Sequence, residues 1–459
     1  MDKTGWEPVA IEYGEGVIKV LVPPWCDILG MRAFPALKNP EKQIEASLSD
    51  PVGGPPVKKL VASFESPPGD LTVAVAVSDN TRPVPYNGEA VDGILLPLLK
   101  RLEKAGVKRK HITVIVGTGT HAPTSTRWKK RALGRNIFGR YAVVDHDCTS
   151  PDLVSIGKVG GVEVKIDDRF MRAGMRVVTG LVEPHFMAGF SGGRKAVCPG
   201  LVNIEATRLF HGGAYTDDPN AASLILQNNP CHEFALEVAR RAGVHFSINA
   251  VLNNNMRLAG VFAGGLEKAH LEAAKTVGRH ALVRADREYD VVLTHGGRVA
   301  VNHYQAAKAA YAAAPVIKRG GTVILVSSSS DPEPVGKPEY KKTMAVLKEC
   351  GIGEYSRLIR SDGWIFTPDQ WQAQKWDQFF QKIGSFEGLI YCTTNIGPSE
   401  LRSLPGRPGY DFIENGIISI ECMVQNAIDE TVQKVLREQK TCTMAYVKDG
   451  PYGVPSLSS

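Results

Sequence analysis

The sequence predicts an α/β protein of two Rossmann-like domains, with the active site in the cleft between them. Three observations lead there. The chain has 459 residues, too many for one ordinary core at roughly 100 to 200 residues per domain. Short apolar runs rich in Val and Ile alternate with helix-like segments, the pattern of a largely parallel sheet. That alternation comes in two series, separated by the charged stretch RADREYD at 284–290.

The first series contains LTVAVAV at 71–77, ITVIV at 112–116, YAVVD at 141–145 and RVVTGLV at 176–182. Between the first two strands, Val91, Leu95, Leu98 and Leu102 fall on one face of a predicted helix that ends at Gly106, with Pro97 marking a first turn or a kink. The Pro/Gly-rich stretch 51–70 reads as a loop or linker. The second series holds VVLTH at 291–295, GTVILVS at 321–327, GLIYCT at 388–393 and TMAYV at 443–447, with helices expected over 304–317 and 369–383. This gives domains of 1–283 and 284–459, the terminal helix packing back on the first.

Composition narrows the class. The chain is 43% hydrophobic and 22% charged, and no apolar run approaches the ~18 residues of a membrane helix. The N-terminus lacks the features of a secretory signal, so the expected location is the cytoplasm, with no membrane partner. Eight cysteines without CxxC spacing argue against a disulfide framework and against a zinc site. The net charge of +6 is spread along the chain. Its densest run, Lys129 to Arg135, lacks interleaved aromatics, so it reads as a solvated face and not as a nucleic-acid surface. The positive balance favours anionic ligands.

An open α/β sheet collects its ligand at the carboxyl ends of its strands, and the chemically rich segments lie there. SDNTRP places Asp79 and Arg82 three residues apart, either as a guanidinium site for a carboxylate or as an Asp cap with an Arg partner. GTGTH offers Gly117, Gly119 and two threonines before His121, an anion site beside a base or a satisfied turn. In GFSGGRK, Ser191, Gly192 and Gly193 permit close approach to a phosphate, while Arg194 and Lys195 add charge. His185 and His211 flank this loop, as functional groups or as packed side chains. Gln305 and Lys308 lie one turn apart on a small-residue helix, facing a cleft or solvent.

SDNTRP, GxGxH, EPH followed by GFSGGRK, the later His211 and YQxxK come in the order and spacing of the nickel-pincer lactate racemase family, which the chain resembles over roughly residues 70 to 380. The resemblance implies a racemase or epimerase that inverts C2 of a small 2-hydroxy acid through a 2-keto acid. The reaction would proceed by reversible hydride transfer to a nickel-pincer nucleotide supplied by separate biosynthetic enzymes. It implies His211 as the protein ligand to nickel, Lys195 as the point of covalent attachment, and the 189–193 loop, with Ser191, Gly192 and Gly193, as phosphate holder. It also implies His121 and His185 as proton acceptors. Arg82 and Lys308 would position the substrate oxygens, and Tyr304, Gln305 and Trp371 would line the pocket. Trp364 and Trp376 lie close enough to compete for the last assignment. Where family members usually carry Arg after the first histidine, this chain has Ala122, which opens the substrate range beyond lactate. A nicotinamide-dependent dehydrogenase is the rival enzyme class, but no GxGxxG unit with an acidic residue about twenty positions on is present. A noncatalytic binding protein of the same fold would not need His121, His185, Lys195 and His211 together.

Overall fold

A computed structural model describes residues 3–413, 416 and 418–458. The chain forms two units: one of Met1–Arg32, Gly212–Asp217 and His280–Ser459, the other of Ala33–His211 and Asp218–Arg279. It opens with β1 (Glu7–Tyr13), β2 (Gly16–Val22) and β3 (Cys26–Leu29), which belong to the unit completed at the far end of the chain.

The 33–279 unit is built on β4 (Val73–Ser78), β5 (Ile112–Gly117), β6 (Ala142–Asp145), the hairpin β7 (Val154–Val159) and β8 (Val162–Ile166), β9 (Met175–Leu181), the short pair β10 (Pro184–His185) and β11 (Gly189–Phe190), β12 (Phe246–Leu252) and β13 (Leu258–Gly264). Six of these form a sheet in the order β13-β12-β9-β4-β5-β6. All its pairings are parallel except β12 with β13. Val73 to Val77 are buried on both faces of β4, which is why that strand reads as an unbroken apolar run.

Helix Leu95–Lys104 buries Leu95, Leu96, Leu98, Leu99 and Leu102, with Pro97 in its first turn, where its missing N–H costs nothing. Val91, expected on this face, precedes the helix and is 70% exposed, because the chain turns through Asn87–Gly93 before the helix begins. The expected linker 51–70 holds helix Val57–Ala62, whose Val57 and Val61 enter the core.

The other unit adds β14 (Leu282–Ala285), β15 (Tyr289–His295), β16 (Ile317–Val326), β17 (Leu389–Cys392), β18 (Arg407–Pro408), β19 (Met444–Val447) and β20 (Val454–Leu457). Its main sheet, β18-β17-β16-β15-β19-β3, is parallel throughout. Helices His303–Ala313, Pro338–Cys350 and Gln370–Ile383 pack on one face around Tyr340, Met344, Trp376 and Phe379. Helix Ile420–Gln439 shares the second core with Ile11, Ile18, Val20 and Val22 of the opening hairpin.

Two features differ from the division expected at 283/284. The break falls after Arg279, and the first 32 residues belong with the C-terminal unit, because β3 pairs with β19. The terminal helix Ile420–Gln439 therefore packs within that same unit. All eight cysteines are free thiols. No helix among the described residues is long and apolar enough to cross a membrane.

Candidate active site

In the 33–279 unit the chain passes from β4 to β5 and β6 on one side, then returns to place β9 on the other. The carboxyl ends of β4 and β9 thus meet at the point where the strand order reverses, the position that gathers ligands in open α/β sheets. Asp79 leaves β4 there, Gly117 to His121 leave β5, and Glu183 and His185 leave β9.

Asp79 is buried and both its carboxylate oxygens are occupied. Oδ1 accepts from the Thr81 backbone N–H at 3.1 Å and from its hydroxyl at 2.5 Å, an Asx-type turn. Oδ2 lies 2.6 Å from His121 Nδ1. Burial pushes the Asp79 carboxyl up, but the hydrogen bonds from His121 and Thr81 outweigh it and hold the group below its ordinary range. Asp79, expected to bind substrate, holds the His121 ring through Oδ2 and the Thr81 turn through Oδ1. With Nδ1 donating to the carboxylate, the lone pair of His121 sits on Nε2, and more than half of this side chain is exposed.

His185 has the opposite arrangement. Pro184 and His185 pair with Phe190 and Gly189 in a two-residue ribbon. In the tight turn between them, His185 Nδ1 accepts from the backbone N–H groups of Met187 and Ala188 at 3.3 and 3.2 Å. An accepting Nδ1 puts the proton of the neutral ring on Nε2.

Arg82 pairs through Nε with Glu183 at 3.1 Å, and its Nη1 donates to Thr81 O at 3.2 Å. Glu183, whose N–H donates to Ser191 Oγ, was not singled out in the sequence as a partner for Arg82.

The 189–195 loop is held by its own side chains. Gly189, Gly192 and Gly193 have φ of +73°, +72° and +52°, and a Cβ on Gly193 would collide with the His270 ring. The glycines there serve packing against protein as well as conformation. Gly193 N donates to Asn249 Oδ1 at 2.9 Å. Ser191, expected to touch a cofactor, uses its hydroxyl on Leu181 O at 2.7 Å. Arg194 is buried, donating to Ala188 O and Phe190 O at 2.7 and 2.8 Å and lying against His270. It clasps the loop from within. Gly117 and Gly119 likewise meet backbone: a Cβ on either would press on Gly200 O or Pro199 O, and Gly119 N donates to Gly200 O at 3.0 Å. These contacts tie the His121 turn to the segment that follows Lys195.

Lys195 lies with Nζ 4.3 Å from the centre of the Phe210 ring. Burial, then the charges of Arg194 and Arg82, bring its ammonium down to about 7. The like charge of Arg194 contributes, but enclosure is the larger cause. An amine-reactive probe is therefore expected to label Lys195 with a rate that rises through pH 7 and levels off about one unit above it, whereas an exposed lysine keeps gaining past pH 9. Peptide mapping across a pH series reads this out, and a Lys195 profile that follows the exposed lysines would refute it.

His211 caps helix Ile204–Phe210. Its Nδ1 donates to Thr207 O, one turn back, at 3.0 Å, so its lone pair sits on Nε2. Burial, followed by the charge of Lys195, depresses the ring to about 3, so the imidazole is neutral at physiological pH. The same electrostatics couple His211 to His121 and Lys195 to Arg82, so these four side chains share one neighbourhood.

The remaining expected residues lie in the other unit. Helix His303–Ala313 starts on Asn302, whose side chain accepts from Gln305 N at 2.9 Å. Trp371 Nε1 donates to Tyr304 OH at 3.2 Å, which joins two of the expected pocket residues. Trp376 is fully buried and donates to Tyr340 OH, and Trp364 donates to Gln370, so Trp371 is the tryptophan beside Tyr304. Gln305 Oε1 is buried and has no hydrogen-bond partner among the described residues. Lys308 is half-buried one turn further along. Among the described residues no group of three or more His, Cys, Asp or Glu could hold a metal ion.

A family model described as the lactate racemase N-terminal domain matches residues 13–223. The lactate racemase of Thermoanaerobacterium thermosaccharolyticum is 30% identical over 409 residues, 87% of this chain and 91% of that one. The lactate racemase of Lactiplantibacillus plantarum is 28% identical over 415 residues, 89% of each. Among solved structures, the lactate racemase apoprotein of T. thermosaccharolyticum matches the fold with a TM-score of 0.82 at 24% identity, covering 98% of this chain and 100% of that one. A Thermotoga maritima protein from a structural genomics programme matches with a TM-score of 0.63 at 17% identity, covering 92% and 99%. On the identity and coverage of these relatives, the chain belongs to the lactate racemase family.

Proposed function

We propose that the protein is a racemase or epimerase that inverts C2 of a small 2-hydroxy acid through a 2-keto acid, using a nickel-pincer nucleotide held at His211 and Lys195. The observation that carries this reading is the pair of oppositely set imidazoles: His121 with its lone pair on Nε2 and His185 with its proton there. An inversion that passes through a ketone needs a base that takes the hydroxyl proton and returns it once hydride has come back to C2; the lone pair on His121 Nε2 supports that exchange, and the neutral Nε2–H of His185 supports the substrate oxygen with a hydrogen bond.

The residues fit the cofactor. His211 offers one neutral imidazole whose other nitrogen is committed to a carbonyl, the usual arrangement of a metal-ligating histidine. One protein nitrogen would suffice where the cofactor itself brought the remaining nickel ligands. Lys195, brought down to about 7, has a neutral amine available for attachment. When bound, the cofactor supplies an electrophile for the C2 hydride. The protein does the rest. His121 takes the hydroxyl proton, and Asp79 stabilises the imidazolium that forms. His185 presents Nε2–H to the substrate oxygen. Arg82 and Lys308 hold the carboxylate and keto oxygens, with Tyr304, Gln305 and Trp371 around the side chain of the acid. Ala122 leaves more room beside His121 than an arginine would, which supports 2-hydroxy acids larger than lactate as substrates.

The test is intact mass and nickel content of protein co-produced with nickel-pincer biosynthetic enzymes, followed by a chiral assay over a panel of 2-hydroxy acids that includes lactate. Bound nickel with inversion of one acid is the expected outcome. Nickel-free, cofactor-free protein under those conditions would overturn the assignment.

A further inference from the structure

The six residues Gly212–Asp217 directly follow His211 in the chain yet belong to the other unit, and helix Gln370–Ile383 of that unit grips them. Gln374 Nε2 donates to Gly213 O at 2.9 Å, and its Oε1 accepts from the Thr216 hydroxyl. Lys375, buried along the helix, donates from Nζ to Thr216 O at 3.1 Å, with Gln378 Oε1 at 2.8 Å. Gln378 Nε2 reaches the same Thr216 carbonyl at 3.0 Å. Asp217 is paired with Arg360 at 2.9 Å, and Gly213 lies so close to Ile359 and Arg360 that a Cβ would sit 3.0 Å from the isoleucine.

So many polar groups, several fully buried, spent on six residues is more than ordinary chain anchoring requires, since the buried Lys375 amine and the buried Gln374 amide are costly unless fully satisfied. The same helix also carries Trp371 and Gln372, which bond to Tyr304 through its hydroxyl and its carbonyl. One rigid element thus joins the Tyr304 helix to the segment next to the metal ligand.

We propose that Gln374, Lys375 and Gln378 form a clamp that positions His211: by fixing the carbonyls two and five residues beyond it, they set where the imidazole points. They are positioning residues, acting through the backbone and touching neither cofactor nor substrate. The role of His211 as ligand rests on the function proposed above, but the orientation of its ring does not.

The test uses full-length protein carrying ¹⁵N-labelled histidine. In the cofactor-free wild type, His211 is expected to give the signals of a single Nδ1–H tautomer. Lys375→Met and Gln374→Ala are expected to broaden or shift those signals, and Lys375→Arg to restore them. Leu347→Ala, in the same core, serves as a control: it should lower the melting temperature without moving the His211 signals. If Lys375→Met fails to fold, Gln378→Leu removes one of the two bonds to Thr216 O. On nickel-loaded protein the clamp variants should release nickel to a chelator about tenfold faster, at the low end for loss of support to a metal ligand. Folded variants whose His211 signals match wild type would overturn the clamp. A wild type that never holds nickel would overturn the proposed function instead, and the imidazole signals would still decide the clamp.

Discussion

Replacing His211 with alanine is expected to lower bound nickel by well over tenfold in protein co-produced with the cofactor-forming enzymes. Loss of an outer-shell partner alone typically costs about 10 to 100-fold in affinity, and this change removes the proposed ligand itself. The ring is enclosed, packs edge-on against Phe210 and bonds to Thr207 O, so alanine also forfeits some packing and the melting temperature is expected to fall. Metal analysis together with intact mass separates two roles: nickel should fall while any adduct at Lys195 persists. Full nickel retention in the variant would remove His211 from the metal site.

The second large effect is expected at His121. Its replacement by alanine should slow inversion by about 10² to 10⁴-fold, the usual contribution of a positioned general base. Asp79→Asn is the more discriminating change. The amide nearly matches the carboxylate in shape, but it can offer Nδ1 an N–H, which drives the ring to the other tautomer and takes the lone pair off Nε2. In the Ser-His-Asp case such a swap costs about 10⁴-fold in kcat, and a loss of at least about a hundredfold is expected here. Comparing kcat with KM decides the role. A positioning Asp79 loses kcat with KM nearly constant, whereas a substrate-binding Asp79 would chiefly change KM. A KM effect alone would return Asp79 to the substrate.

What the sequence made legible follows from how local each signal is. The parallel strands were readable because Val73 to Val77 or Val291 to Leu293 are buried on both faces and so are apolar throughout. Residues at strand ends were readable as a group because the sheet itself sends them to one edge. Helix Val57–Ala62 was hidden by the Pro/Gly residues around it. The β1–β2 hairpin had a signal in Gly14–Gly16 flanked by alternating Ile11 and Ile18, Val20, Val22. Hydrogen-bond allegiance was not legible. Asp79, Ser191 and Arg194 are all residue types that bind anions or substrates, and only three-dimensional pairing reveals that each is occupied by its own protein. Asn249, a lone amide within the apolar strand FSINAVL, was a hint that something in the glycine loop needed an acceptor. Glu183 as the partner of Arg82 had no comparable sign, since nothing in the sequence brings the ends of β4 and β9 together.

The path of the backbone has a bearing on how the molecule is made. Cys26 to Leu29 pair with Met444 to Val447, so during synthesis β3 must wait for a strand far along the chain before this edge of the sheet can close. During vectorial synthesis the 33–279 unit has nearly all of its sequence in hand long before that, and it can collapse while the opening hairpin is still unseated. Distant pairings of this kind are slow to form. Until β3 arrives, β19 presents an open row of backbone donors and acceptors, an invitation to a neighbouring nascent chain. Trimming the first 32 residues would make that vulnerability permanent, even though it removes none of the chemical groups described above.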